Sequence, residues 1–90
     1  MKYRFQATPT FRKALARLTL AQKQSAKAAF AIFKENPFDP RLRTHKIHSL
    51  SSRHGRTIYS VRVEADLRAV FYIEGEIVVS VDIGTHAIYR

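Results

Sequence analysis

Ninety residues are enough for one modest core, and the absence of cysteine excludes a disulfide framework, a thiolate metal site and a thiol nucleophile. A hydrophobic share of 46% excludes a disordered chain, and the longest apolar runs are about strand length, too short for a membrane span. The formal net charge of +9 predicts attraction to polyanions, either nucleic acid or an acidic protein, weakening steeply as salt rises. Nothing reads as a signal peptide, so a cytoplasmic protein with no membrane partner is expected.

In chain order, "KYRFQAT" alternates, with Tyr3, Phe5 and Ala7 on one face of a half-buried strand. Thr8 followed by Pro9 reads as an N-cap and first helical position. Phe11, Ala14, Leu15 and Leu18 then form one face of a short helix. Thr19 and Gln22 have capping-box spacing and start a second helix, with an inner stripe of Ala26, Ala29, Phe30 and Phe33. Pro37 and Pro40 in "ENPFDP" end it, so the two helices form an antiparallel hairpin. Residues 41–56 are polar, basic and weakly patterned, and they predict a long basic loop with a short strand around 44–48. Beyond them the period becomes two: "IYSVRV", "LRAVFYI" and "EIVVSVDI" are strands divided by "EAD" and by "EGE", a tight turn at Gly75. The expected architecture is α+β, in the order β-α-α-β-β-β, as a single domain over residues 1–90. Its sheet is antiparallel-dominated, with the helix hairpin on one face.

Strict alternation places Tyr59, Val61, Val63, Leu67, Ala69, Phe71, Ile73, Ile77, Val79, Val81 and Ile83 against the helices. Ser60, Arg62, Arg68, Val70, Tyr72, Val78, Ser80 and Asp82 then face the other way. With no further helix predicted, that second face is expected to be open to water or a ligand. The ordinary role for Arg62 and Arg68 is pairing with Glu64, Asp66 or Asp82. The closing "VDIGTHAIYR" turns at Gly84 and brings His86 and Tyr89 back beside the arginines. Such a cluster offers fixed positive charge and proton transfer near neutral pH, but no protein nucleophile. Cleavage of RNA by its own 2′-hydroxyl needs those elements and neither metal nor cofactor, with electrostatic stabilisation as the largest contribution.

The element order, "NPFDPRLRTHKIHSL", "YSVRVEADLRAVFYI" and "IGTHAIYR" resemble the RelE/ParE superfamily of toxins from type II toxin–antitoxin systems, most of all its RelE-like branch with the YafQ-type toxins. The resemblance spans essentially the whole chain. It implies a ribosome-dependent mRNA endoribonuclease with no cofactor and no metal. Its partners would be the ribosome, mRNA and an acidic antitoxin, with operator DNA reached only through the antitoxin. By position it implies His86 as a proton-transfer group, Arg62 facing the scissile phosphate, and His45 and Asp66 as matches to a His and an Asp of YafQ-like toxins. Arg68 matches the arginine of a "D.R" strand start, and Tyr89 the C-terminal aromatic that orients substrate. Lys46, Arg53, His54 and Arg56 are the expected RNA contacts. Arg62 stands where that branch has histidine, which moves acid–base work towards His86 and His45. Tyr89 lies one residue nearer its histidine than in the YafQ pattern. The alternatives are a ParE-like DNA gyrase inhibitor and a catalytically inactive, antitoxin-binding relative.

Overall fold

A computed structural model describes residues 3–89, with the side chain of His86 outside the described set. Strand β1 (Arg4–Ala7) leads into helices α1 (Pro9–Ala16) and α2 (Leu20–Glu35). A 3-10 turn (Pro40–Leu42), the two-residue strand β2 (His45–Lys46) and helix α3 (His48–His54) follow. Strands β3 (Tyr59–Glu64), β4 (Leu67–Glu74) and β5 (Ile77–Gly84) and a second 3-10 turn (His86–Tyr89) complete the chain. The five-stranded sheet has the order β1-β5-β4-β3-β2, parallel between β1 and β5 and antiparallel elsewhere. Among the described residues, no helix is long and apolar enough to cross a membrane.

Both helix starts follow their local chemistry. The Thr19 hydroxyl accepts from Gln22 N at 3.1 Å while the Gln22 side chain accepts from Thr19 N at 2.9 Å, a reciprocal capping box. Thr8 caps α1 by accepting from Phe11 N, and its hydroxyl also donates to Val81 O at 2.9 Å, linking positions 73 residues apart. Thr8→Ala therefore loses a helix cap and a sheet tie together. The expected loss is about 1–2 kcal/mol in urea unfolding, against about 1 kcal/mol for Thr19→Ala, whose hydroxyl serves its own helix alone.

The main core lies between the helix hairpin and the sheet. Phe11, Ala26, Ala29, Phe33, Val61, Leu67, Ala69, Phe71, Val78 and Ile83 are buried there, with Leu42 of the first 3-10 turn. Phe5, Phe33 and Phe71 form a chain of edge-to-face rings, Phe33 and Phe71 at 4.9 Å.

Two sequence expectations fail. Residues 41–56 hold a helix as well as the expected short strand. α3 is seven residues long, has no side-chain cap at its N-terminus and contains three serines, so its own propensity is low. Tertiary packing holds it: Leu50 is buried against Ile58 and Val70, and Ile47, Tyr72, Val81, Ile88 and Tyr89 close round them. The second sheet face is thus largely covered by α3 and the C-terminal turn. The other failure is the facing of β5. Phe71 pairs with Ser80 and Val70 with Asp82, so Val81 is an extra residue in a β-bulge. Upstream of the bulge the alternation inverts: Val78 enters the hairpin core, while Val81 itself joins the second cluster.

Candidate functional site

Strand register assembles two transverse rows on the second face. His45 is opposite Ser60, Ser60 opposite Val70, and Val70 opposite Asp82. One step along, Arg62 is opposite Arg68, and Arg68 opposite Gly84. Residues directly opposite in a sheet have Cβ atoms about 5 Å apart, so the two arginines are immediate neighbours of like charge.

Their surroundings differ. Arg68 Nη1 donates to three backbone carbonyls of the β3–β4 hairpin, Glu64 O at 2.8 Å, Ala65 O at 3.1 Å and Leu67 O at 3.3 Å. Arg62, half-buried, makes no hydrogen bond or ion pair among the described residues. Neither arginine forms the expected carboxylate pair: Arg68 takes the Glu64 carbonyl, and Glu64 Oε1 is itself buried without a hydrogen-bond partner among the described residues. Among the described residues, ion pairs lie elsewhere, Arg41 with Asp39 at 3.0 Å and Arg56 with Glu74 at 2.8 Å. The hydrogen bonds from Arg41 hold the Asp39 carboxyl below its usual range, and the hydrogen bond to Glu74 raises Arg56. Both effects only reinforce charge already present.

The C-terminal 3-10 turn folds back over the first row. Its Tyr89 hydroxyl is hydrogen-bonded to the hydroxyl of Ser60, which is 0% exposed. Ile88 enters the cluster under α3, and Ile88 N donates to Thr85 O at 3.0 Å. Gly84 leaves room for this return, because a Cβ there would stand 2.7 Å from Ile88 Cγ2. Its backbone has no left-handed φ, so close approach is the reason for glycine here.

The expected site residues separate accordingly. His45, Arg62, Arg68 and Tyr89 share the second face, with the His45 ring Nδ1 2.9 Å from Arg43 O. His86 opens the C-terminal turn just beyond the arginine row, and its side chain lies outside the described residues. Asp66 sits exposed in the hairpin turn at the end of β3. Lys46 is opposite Tyr59, which belongs to the hairpin core, so it points away from His45. Arg53 and His54, at the end of α3, line a cleft of about 300 Å³ with Asp82 and Ile88. Arg56 lies 4.2 Å over the Tyr72 ring and is held by Glu74, away from the arginine row. Sequence reasoning missed the link between Ser60 and Tyr89, since nothing in the sequence marks two positions 29 apart as a pair.

No protein-family model matches the chain, and no curated protein matches it by sequence. Solved structures match over nearly their full length. The archaeal RelE–RelB complex from Pyrococcus horikoshii OT3 aligns with a TM-score of 0.71 and 16% identity, over 94% of this chain and 96% of the other. YafQ from E. coli strain BL21(DE3) aligns at 0.70 and 18%, covering 97% of both chains. The chain has the RelE/YafQ toxin fold. The RelBE2 toxin–antitoxin complex of Mycobacterium tuberculosis aligns at 0.67 and 20% identity, over 96% of this chain and 100% of the other. On this RelE/YafQ fold, the arginine row and the returning turn occupy the sheet face opposite the helix hairpin.

Proposed function

We propose that the protein is the toxin of a type II toxin–antitoxin pair and acts as a ribosome-dependent, metal-independent mRNA endoribonuclease. The observation that carries the reading is Arg62. A guanidinium with no partner among the described residues, set directly opposite a second arginine, is electrostatically unfavourable alone and favourable beside an anion. Phosphate is the anion that a basic protein of +9 meets on RNA. His45 and Tyr89 lie on the same face, and His86 follows two residues after Gly84, at the end of the arginine row. In this reading the RNA supplies its 2′-hydroxyl as nucleophile. His86 and His45 move the protons, Arg62 and Arg68 stabilise the charge gathering on the phosphorane, and Tyr89 orients the nucleotide. Asp66 supports the turn beside them, while Lys46, Arg53, His54 and Arg56 contact RNA more peripherally.

The partner is an acidic antitoxin, as toxin-antitoxin complexes of fold neighbours suggest. Its place is the apolar groove between α1 and α2, about 350 Å³, floored by Leu15, Ala26 and Phe30 and rimmed by Arg12, Lys23 and Lys27. Operator DNA is met only through that antitoxin.

Primer extension on a defined mRNA with purified ribosomes tests the enzyme. The wild-type protein is expected to give cuts that require ribosomes and persist in EDTA at levels the ribosomes tolerate. Arg62→Gln, which keeps the stem and removes the charge, is expected to slow them by about 10–100-fold. A folded wild-type protein that gives no cuts sinks the nuclease, and inhibition of gyrase supercoiling would then put the ParE-like activity in its place.

A further inference from the structure

Among the described residues, Arg43 is the one non-glycine residue with a positive φ, at φ 51° and ψ 41°. A left-handed backbone is costly for a residue with a Cβ and persists only where the surroundings over-determine it. Here they do. Leu42 on one side is buried in the main core at 2% exposure. On the other side Thr44 donates its hydroxyl to Pro37 O at 2.6 Å. Arg43 N itself donates to Pro40 O at 3.2 Å, and the chain then enters β2, where His45 is opposite Ser60.

The Arg43 carbonyl meets the His45 ring, its oxygen 2.9 Å from Nδ1. A carbonyl oxygen can only accept, so the proton of that bond belongs to Nδ1. A free histidine side chain in water prefers the other tautomer, with its proton on Nε2. The bond to Arg43 O therefore selects a tautomer and leaves Nε2 with its lone pair. Nε2 makes no hydrogen bond among the described residues. When the ring is charged, the Nδ1 proton stays with the carbonyl, so Nε2 is the nitrogen that gains and loses a proton. The arginine row is near: Arg62 follows Ser60 by two residues on β3, about 7 Å along the same sheet face.

We infer that Arg43 is a positioning residue that acts through its backbone: its left-handed conformation aims the carbonyl that holds His45 Nδ1–H and makes Nε2 the proton-exchanging nitrogen. The action of that nitrogen on RNA rests on the nuclease reading. Its selection by Arg43 is a property of the folded chain alone.

Two variants at position 43 separate backbone from side chain, because both remove the guanidinium. Arg43→Gly enters the left-handed region freely, and Arg43→Val resists it. Ring 15N–1H correlation spectra at about pH 8.5, where imidazoles are neutral, report the tautomer, with the His45 signals assigned by their loss in His45→Gln. The wild type and Arg43→Gly should show protonated Nδ1. Arg43→Val should move the tautomer ratio towards Nε2–H by about 2–10-fold, the scale of one hydrogen bond. A wild-type His45 protonated on Nε2 overturns the inference, and so does an Arg43→Val protein that keeps protonated Nδ1. Should Arg43→Val fail to fold, the wild-type spectrum alone still carries the test. In single-turnover cleavage at saturating ribosomes, Arg43→Val should be slower than Arg43→Gly by about the same factor, with equal half-saturating ribosome concentrations. Equal rates beside a shifted tautomer would remove His45 from the cleavage chemistry. If the wild-type protein makes no cuts, the nuclease reading fails, and the spectra still decide what Arg43 does.

Discussion

His86→Ala is expected to reduce ribosome-dependent cleavage by about 10²–10⁴-fold while leaving thermal unfolding within about 0.5 kcal/mol of wild type. Backbone placement supports the size of the effect. Arg62 is opposite Arg68, Arg68 is opposite Gly84, and His86 starts the turn that returns over this face. In the proposed nuclease, a proton-transfer group has to stand within hydrogen-bond reach of the reacting oxygens, where the phosphate would meet the arginines. Loss of a general acid or base slows the chemical step and leaves affinity for the ribosome, which depends on many cations, nearly as it was. Single-turnover rates at saturating ribosomes separate the two. If His86→Ala cuts as fast as wild type, the proton transfer belongs elsewhere, and His45 is the next histidine on that face.

Phe71→Ala is expected to cost about 3–5 kcal/mol, a large part of the 5–15 kcal/mol typical of a folded domain. The ring is 1% exposed at the centre of the sheet. It meets Phe33 edge-on at 4.9 Å, stacks on Tyr59 at 5.3 Å and 24°, and touches Phe38 at 6.2 Å. Its removal opens a cavity bounded by α2, β3 and the 36–40 segment at once, and no flexible side chain stands by to fill it. At about 4 °C or more per kcal/mol for a domain of this size, the melting temperature should fall by at least about 12 °C. A drop below about 4 °C would show that the aromatic chain is not what holds the hairpin to the sheet.

Most of the frame was legible because its signals are local. Thr8 before Pro9, Thr19 three residues before Gln22, and the stripe of Ala26, Ala29 and Phe33 each state a boundary or a face within a few residues, and the structure keeps all of them. The illegible parts depend on distant partners. α3 offers Leu50 as its single buried residue, and it becomes a helix because Ile58 and Val70 give that residue somewhere to go. The bulge at Val81 is hidden because "IVVSVDI" is apolar in either phase, so alternation alone cannot choose a face. Gly84 was expected to turn the chain but instead ends β5, with the turn following it, and the close approach of Ile88 that demands glycine needed coordinates. For the site, the sequence pointed to residue types and to the sheet face. The opposition of Arg62 and Arg68, with the carbonyls that occupy one and not the other, depends on register, which no single strand specifies.

The sheet order also sets a schedule. β5, the last strand made, lies between β1, the first, and β4, so β1 has no partner in the sheet until Ile77–Gly84 has been synthesised. Contacts of such long sequence separation form late and limit the folding rate. The arginine row lacks Gly84 and the returning turn until residues up to Tyr89 have emerged.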